Sequence, residues 1–366
     1  MDSPGGPSPT ISIIVPARNE EASLGRCIAS LVAQTGVSFE IIVVNDGSTD
    51  RTGEIAESFA SVNVINAPSL PDGWTGKNNA VFAGANEARG AWLLFTDADT
   101  EHNSGSLARS LAEAQQYGAS LLSYSPEQEV YSFWEKALMP VIFAELATAY
   151  RPPEVNDPWS SVAAANGQYI LITREAYDAV GGHAAVASSL LDDVDLARLV
   201  KVSGRKLRFR YGGDAVRTRM YRSFAQLREG WTKNLAILFP SPLKLAALGI
   251  AEFVMIAGSV SAACILAVNE PLWALVAAGI AMITYSRFLL RIRQAHFRWD
   301  ANLLAFCGLP LFSYLLLRSR LFRKRGQVLW KGRTYETAWG QPPPDVQPSK
   351  ARRTSISKEK KIKWSI

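Results

Sequence analysis

The sequence predicts a mostly parallel, doubly wound α/β domain followed by apolar helices at a membrane. Three observations predict it. Short apolar runs alternate with helically spaced segments from residue 11 to residue 100. Polar or acidic residues stand directly after those runs, where open α/β sheets gather their ligands. Charge is dense up to Arg228 and then gives way to long apolar stretches flanked by Arg and Lys.

Taken in order, Ile11-Ser-Ile-Ile-Val-Pro16 reads as a buried strand ended by proline, and residues 21–33 have helical spacing (Leu24, Ile28, Leu31, Val32). A second strand over 40–45 runs into Asp46-Gly-Ser-Thr-Asp50, a turn with helix-capping residues, and 52–59 is helical. A short third strand falls at 62–66, a Gly-containing loop at 70–77 and a helix at 78–88. The centre of this half is Trp92-Leu-Leu-Phe-Thr-Asp-Ala-Asp99, a strand apolar on both faces that delivers Asp97 and Asp99 at its carboxyl end. Asp-x-Asp there is either a polar turn capping the strand or a pair of hard oxygen ligands for Mg²⁺ or Mn²⁺ that also holds phosphates. Asp46 is either a helix cap or a third such carboxylate, and Lys77 either a solvated lysine or a phosphate contact. Together they suggest a nucleotide diphosphate held through a metal. The Gly-rich pieces match neither Gly-x-Gly-x-x-Gly nor the P-loop pattern, which demotes dinucleotide and P-loop chemistry.

Three stretches, in this order, carry a family resemblance: Ile-Ile-Val-Pro-Ala-Arg-Asn-Glu20, Val-Val-Asn-Asp-Gly-Ser-Thr-Asp50 and Phe-Thr-Asp-Ala-Asp99. The chain resembles the family 2 glycosyltransferases, with the GT-A nucleotide-diphospho-sugar transferase fold. Leu-Pro-Asp-Gly-Trp-Thr-Gly-Lys77 resembles a membrane-bound subgroup that includes hopanoid-associated and carotenoid glycosyltransferases. The resemblance implies that Pro16, Ala17, Arg18, Glu20 and Asp46 contact the nucleotide, with Lys77 and Asp97 also on the donor. It implies that Asp97 and Asp99 hold the metal and diphosphate.

Residues 127–150 read as an aromatic-rich helix, either core or lying in a membrane interface. A strand over 165–173 and a helix over 174–180 follow, stopped by Gly181 and Gly182. Asp192, Asp193 and Asp195 open a helix, a pattern that dipole stabilisation alone explains. By the family match, Asp193 is the catalytic base, with Asp192 as the alternative because the family often has Glu there. A carboxylate within hydrogen-bond reach can take the proton of a hydroxyl nucleophile, and a base opposite the leaving group implies inversion. His183 lies close by in sequence, and a lone histidine there reads as structural and is assigned no role. Gln226-Leu-Arg-Glu-Gly-Trp231 only approximates the Gln-x-x-Arg-Trp motif of processive relatives, which argues against a processive synthase. Arg228 and Trp231 border the donor, or the segment is an amphipathic helix at the membrane surface.

Residues 245–268 and 272–290 are each long enough to cross a hydrocarbon core of ~30 Å, with a tight turn at Asn269-Glu-Pro271. A core hairpin of a soluble protein is the alternative. The segment 303–317 is shorter and interrupted by Gly308 and Pro310. A third full crossing would strand Arg318, Arg320, Arg323, Lys324 and Arg325 on the far side, against the positive-inside rule, so this segment is expected to be re-entrant or interfacial. Trp330-Lys-Gly-Arg-Thr-Tyr335 resembles a family piece near the active site.

The expected organisation is a disordered 1–9, a catalytic domain over 10–235, a membrane region over 243–317, a basic juxtamembrane 318–341 and a disordered 342–366. The N-terminus has no apolar h-region, so it is not a signal peptide and the catalytic domain should be cytoplasmic, on a multi-pass protein of the plasma or inner membrane. Cys27, Cys264 and Cys307 are too scattered for a zinc site or a disulfide framework. The net charge of +6 comes largely from basic residues flanking apolar runs, which favours an anionic membrane surface over nucleic acid. The expected activity is inverting, metal-dependent transfer of a sugar from a nucleotide diphosphate sugar, with a lean to UDP, onto an isoprenoid-derived membrane lipid. Polyprenyl-phosphate or glycerolipid acceptors come next, then a nucleotidyltransferase and a non-catalytic membrane scaffold.

Overall fold

The computed structural model describes residues 8–324, 327–330 and 333–336. The expected disordered ends lie outside the described residues, apart from residues 8 and 9. The chain begins with β1 (Ile11–Ala17), α1 (Leu24–Val32), β2 (Phe39–Asn45), α2 (Thr52–Glu57), β3 (Val62–Asn66), α3 (Gly76–Glu87) and β4 (Trp92–Phe95). It continues through β5 (Thr100–His102), α4 (Ser106–Tyr117), β6 (Leu121–Ser125), β7 (Glu127–Gln128), α5 (Phe133–Ala149), α6 (Pro152–Asn156), β8 (Ile170–Thr173) and α7 (Arg174–Ala179). Then come α8 (Asp192–Val202), β9 (Leu207–Tyr211), β10 (Val216–Thr218) and α9 (Phe224–Leu238). The last part is α10 (Pro242–Leu266), α11 (Pro271–Ile292), α12 (Trp299–Lys324) and a hairpin of β11 (Gln327–Trp330) and β12 (Arg333–Glu336).

Seven strands form the main sheet in the order β3-β2-β1-β4-β8-β6-β9. The first four are parallel, and β8 runs antiparallel to both β4 and β6. Alternation along β1 sends Ile13 and Val15 to one face and Ile14 to the other. Ile13 and Val15 meet Leu24, Ile28 and Leu31 of α1, while Ile14 meets Ala80 and Val81 of α3. Each such fully buried aliphatic side chain contributes about 1.5–3 kcal/mol. The sheet is therefore clamped from both sides, and its free edge for chemistry is the carboxyl end of the parallel strands. A small sheet, β5-β10-β7, stands beside that end.

A third apolar cluster joins α5, α9, α10, α11 and α12. The body of α5 is core, with Leu138, Val141 and Ile142 buried, while Tyr131, Phe133 and Trp134 at its start are exposed. The core reading thus holds for the body of this helix. A capping box between Ser132 and Glu135 starts it, satisfying two orphan N–H groups.

Among the described residues, the apolar C-terminal third holds three helices long and apolar enough to cross a membrane. On α10 and α11, Val254, Ile265, Leu272, Leu275 and Met282 are exposed, which a core hairpin of a soluble protein would not leave open. Glu252 of α10 and Glu145 of α5 both pair with Arg291 of α11. The expectation of an interrupted third segment is corrected: α12 is one continuous helix of 26 residues, about 39 Å long. Gly308 does not break it. A Cβ there would strike the Ala137 carbonyl of α5, so the glycine permits close helix packing. Pro310 lies within α12, as Pro140 lies within α5.

Candidate active site

The turn after β4 is fixed from beneath. The Thr96 hydroxyl donates to Gln168 O (2.8 Å) and lies 3.1 Å from His102 Nε2, and Thr100 Oγ1 donates to Asp97 O at 2.8 Å. Burial pushes His102 down to about 3, so it serves as a neutral hydrogen-bonding ring. Thr218 of β10 donates to Asp99 O at 3.1 Å, which ties the small sheet to the same turn. Asp97 is 29% exposed and faces outward from this support.

Lys77 reaches the turn from the start of α3. Thr75 caps that helix by accepting from Asn78 N, and Lys77 Nζ lies 2.8 Å from Asp97 Oδ1. Desolvation alone would lower the ammonium, but Asp97, then Asp192 and Asp193, hold it above the ordinary lysine value. Asp193 comes from the first turn of α8. Its Oδ2 accepts from the Gly167 N–H at 2.9 Å and its Oδ1 from the Val194 N–H at 2.8 Å. Burial first, and the neighbouring Asp192 second, push this carboxyl up, against the opposing Lys77. A Cβ on Gly167 would come within 2.9 Å of Lys77 Nζ and 3.6 Å of Asp193 Oδ2, so the bare backbone lets these groups converge.

The two adjacent acids part company. Asp192 is buried with its Oδ2 3.8 Å from His183 Nε2. His183 is itself held by Tyr177, with Nδ1 3.0 Å from the hydroxyl, and burial pushes it down to about 4. It is a neutral support for Asp192.

The nucleotide loop expected from the sequence also gathers at this edge. Ala17 O accepts from the Asp46 N–H, and Arg18 Nη1 donates to Asp46 O at 2.6 Å. Glu20 Oε2 accepts from Ser23, its backbone N–H donates to Thr52 Oγ1, and Pro16 is half-buried at the end of β1. Asp46 is buried, and Arg333 of β12 grips its carboxylate at both oxygens, Nη1 to Oδ2 at 2.6 Å and Nη2 to Oδ1 at 3.1 Å.

Trp231 lies on α9, the helix that also carries Lys233. Its ring is buried among apolar residues between α5 and α9, and its Nε1 donates to Met139 Sδ at 3.3 Å. Arg228 is exposed on α9. Lys233, on the same helix, was missed by motif reading. Burial and the nearby Lys77 push it down to about 8, against Asp192, Asp193 and Asp97. No local pattern marks it, because its neighbours come from α3, α8 and the β4 turn. Arg333 lies in the Trp330–Tyr335 stretch that resembles a family piece near the active site, but its pairing with Asp46 was not read from the sequence.

Acidic groups and lysines thus gather at the carboxyl edge of a mixed α/β sheet, in a chain whose described residues include three helices long and apolar enough to cross a membrane. Residues 12–181 match the family described as Glycosyl transferase family 2. Over that stretch the chain resembles a family 2 glycosyltransferase domain, and the protein is a glycosyltransferase. It is 28% identical over 342 residues to the 4,4'-diaponeurosporenoate glycosyltransferase of Staphylococcus aureus strain MRSA252, covering 89% of this chain and 88% of the relative. To the protein of that name from strain USA300 it is 29% identical over 341 residues, with the same coverage. Among solved structures, a mannosyltransferase from Pyrobaculum calidifontis, in complex with GDP-Man and Mn²⁺, aligns with a TM-score of 0.49 at 15% identity. That alignment covers 86% of this chain and 87% of the other.

Proposed function

We propose that the protein transfers a sugar from a nucleoside diphosphate sugar to a carotenoid-type, isoprenoid-derived lipid at the cytoplasmic face of a membrane, with inversion. One observation carries this: Asp97, Lys77, Gly167 and Asp193, from four separate segments, converge at one strand edge of a protein that exposes apolar helices. The names of the Staphylococcus aureus relatives support the acceptor class.

Asp97 and Asp99 suit a divalent cation, Mg²⁺ or Mn²⁺. Asp97 already attracts a cation, Lys77, and among the described residues no group of three or more His, Cys, Asp or Glu closes a metal cage. Two carboxylates plus water and phosphate oxygens is the ligand set Mg²⁺ ordinarily takes. When bound, the cation would neutralise charge on the departing diphosphate. Lys77 adds a positive charge to the same edge and is placed to move from Asp97 to a phosphate. Asp46 and the loop of Pro16, Ala17, Arg18 and Glu20 face the nucleotide, uridine by preference. Asp193, oriented by two backbone N–H groups, takes the proton of the acceptor hydroxyl as the new C–O bond forms. Residues 10–235 form the catalytic unit, and α10 and α11 hold it at the bilayer.

The test uses detergent-solubilised protein, host lipid extract and a panel of nucleotide sugars, with Mn²⁺ or with EDTA. The expected result is release of nucleoside diphosphate with a hexose-sized mass shift on one lipid, lost in EDTA and in Asp193→Asn. Donor binding without any lipid shift would overturn the lipid acceptor.

A further inference from the structure

The geometry points to Arg333 as a positioning residue for the donor site, acting through Asp46, so that the site is completed only by the chain that returns after the apolar helices. This rests on the reading of the Asp46 edge as the nucleotide site. Arg333 stands 287 residues beyond Asp46 and meets it with two parallel N–H···O bonds. The fork geometry of guanidinium matches a carboxylate in plane, so the pair fixes the carboxylate's orientation as well as its charge. Both partners are largely covered, with side chains 24% and 10% exposed.

The pair lies on the site itself. A Cβ at Gly76, the first residue of α3, would collide with the Arg333 guanidinium and come within 2.7 Å of Asp46 Oδ2. The next residue is Lys77, which holds Asp97. Arg333, Asp46, Gly76, Lys77 and Asp97 therefore form an unbroken row along the strand ends. The hairpin that carries Arg333 is seated through β11 against α9 and α12, so its position depends on the helical layer.

The consequence is electrostatic. An unneutralised Asp46 carboxylate would repel an incoming diphosphate, whereas paired with Arg333 it can accept a hydrogen bond from a nucleoside without that penalty. Arg keeps this arrangement better than Lys, because an ammonium supplies the charge without the planar fork.

The experiment measures binding of UDP, GDP and ADP to full-length protein in detergent micelles, by calorimetry, with Mn²⁺ present. Arg333→Met is expected to weaken the preferred nucleoside diphosphate about tenfold or more, and Arg333→Lys by less. At saturating donor, kcat is expected to stay within about twofold of the unsubstituted protein, since Asp193 is untouched. In an Asp46→Ala background Arg333→Met should cause no further loss, a non-additivity that a general structural role would not produce. Unchanged nucleotide affinity in Arg333→Met, or an equal loss in the Asp46→Ala background, would overturn the proposal and leave the donor reading intact. Failure of the unsubstituted protein to bind any of the three would remove the donor reading and the role of Arg333 with it.

Discussion

Two charged clusters in this molecule use the same ingredients and differ in how their carboxylates are held. In the helical layer, Glu145 and Glu252 close directly on Arg291, tying α5, α10 and α11 together. At the strand edge, Asp193 takes its bonds from the Gly167 and Val194 amides, and Lys77 engages Asp97. Ions that close on one another hold structure, and removing one partner leaves an uncompensated charge. Carboxylates oriented by backbone amides stay available to a substrate. On the function proposed above, the difference separates a structural cluster from the one that does the chemistry.

Substitutions can break or sharpen this contrast. The largest expected effect is Asp193→Asn, which should lower kcat by about a thousandfold with donor affinity retained, read by steady-state kinetics and calorimetry. Stability should move the other way. A carboxyl raised in the folded state adds stability below its unfolded pKa, and that stability is lost as pH rises through the folded value. Ionised Asp193 is therefore costly at neutral pH, and Asn should raise Tm in micelles there. A lower Tm would place Asp193 with the structural cluster. Arg291→Met should destabilise by roughly 3–5 kcal/mol, with kcat of the folded fraction unchanged. Loss of kcat at intact stability would erase the contrast from the other side.

The pH profile gives a finer test. Asp193 faces Asp192 on its own helix, Lys77 from α3, Lys233 from α9 and Tyr150 after α5. Because burial and Asp192 raise its pKa, the base becomes protonated at a higher pH than an ordinary carboxylate. The acid limb of kcat/KM should thus lie above the usual carboxylate range, and Asp192→Asn should move it down. The smallest effect is expected for Gly167→Ala. The new methyl displaces the Lys77 ammonium, which should raise donor KM by about tenfold or less with kcat and Tm near their original values.

The strands of the first half were legible because apolar runs of four to seven residues ended at polar turns, and β3 and β4 fall where the pattern puts them. The convergence of Asp97, Lys77 and Asp193 followed from motifs that each lie within a few residues. Three features were not legible, each for a tertiary reason. Gly308 and Pro310 look like helix breakers in sequence, but the close approach of Ala137 makes the glycine a packing contact. Trp231 has motif-like spacing, yet Met139 and Phe143 surround its ring. Lys233 owes its position to contacts between distant segments, for which no local spacing exists, and the local motif around Arg333 did not name Asp46 as its partner.

The pairing of Arg333 with Asp46 also fixes a parity. Two residues that touch lie on one side of any bilayer, so the chain between them crosses it an even number of times. Three helices in that interval are long and apolar enough to cross, and three is odd. At most two of them can therefore cross. In its most apolar window α12 is 44% buried, against 11% for α10 and 17% for α11, and it packs on α5 and α9. Length and apolarity qualify α12 as a span, but its burial against the catalytic domain makes it the helix with the least apolar surface left for lipid.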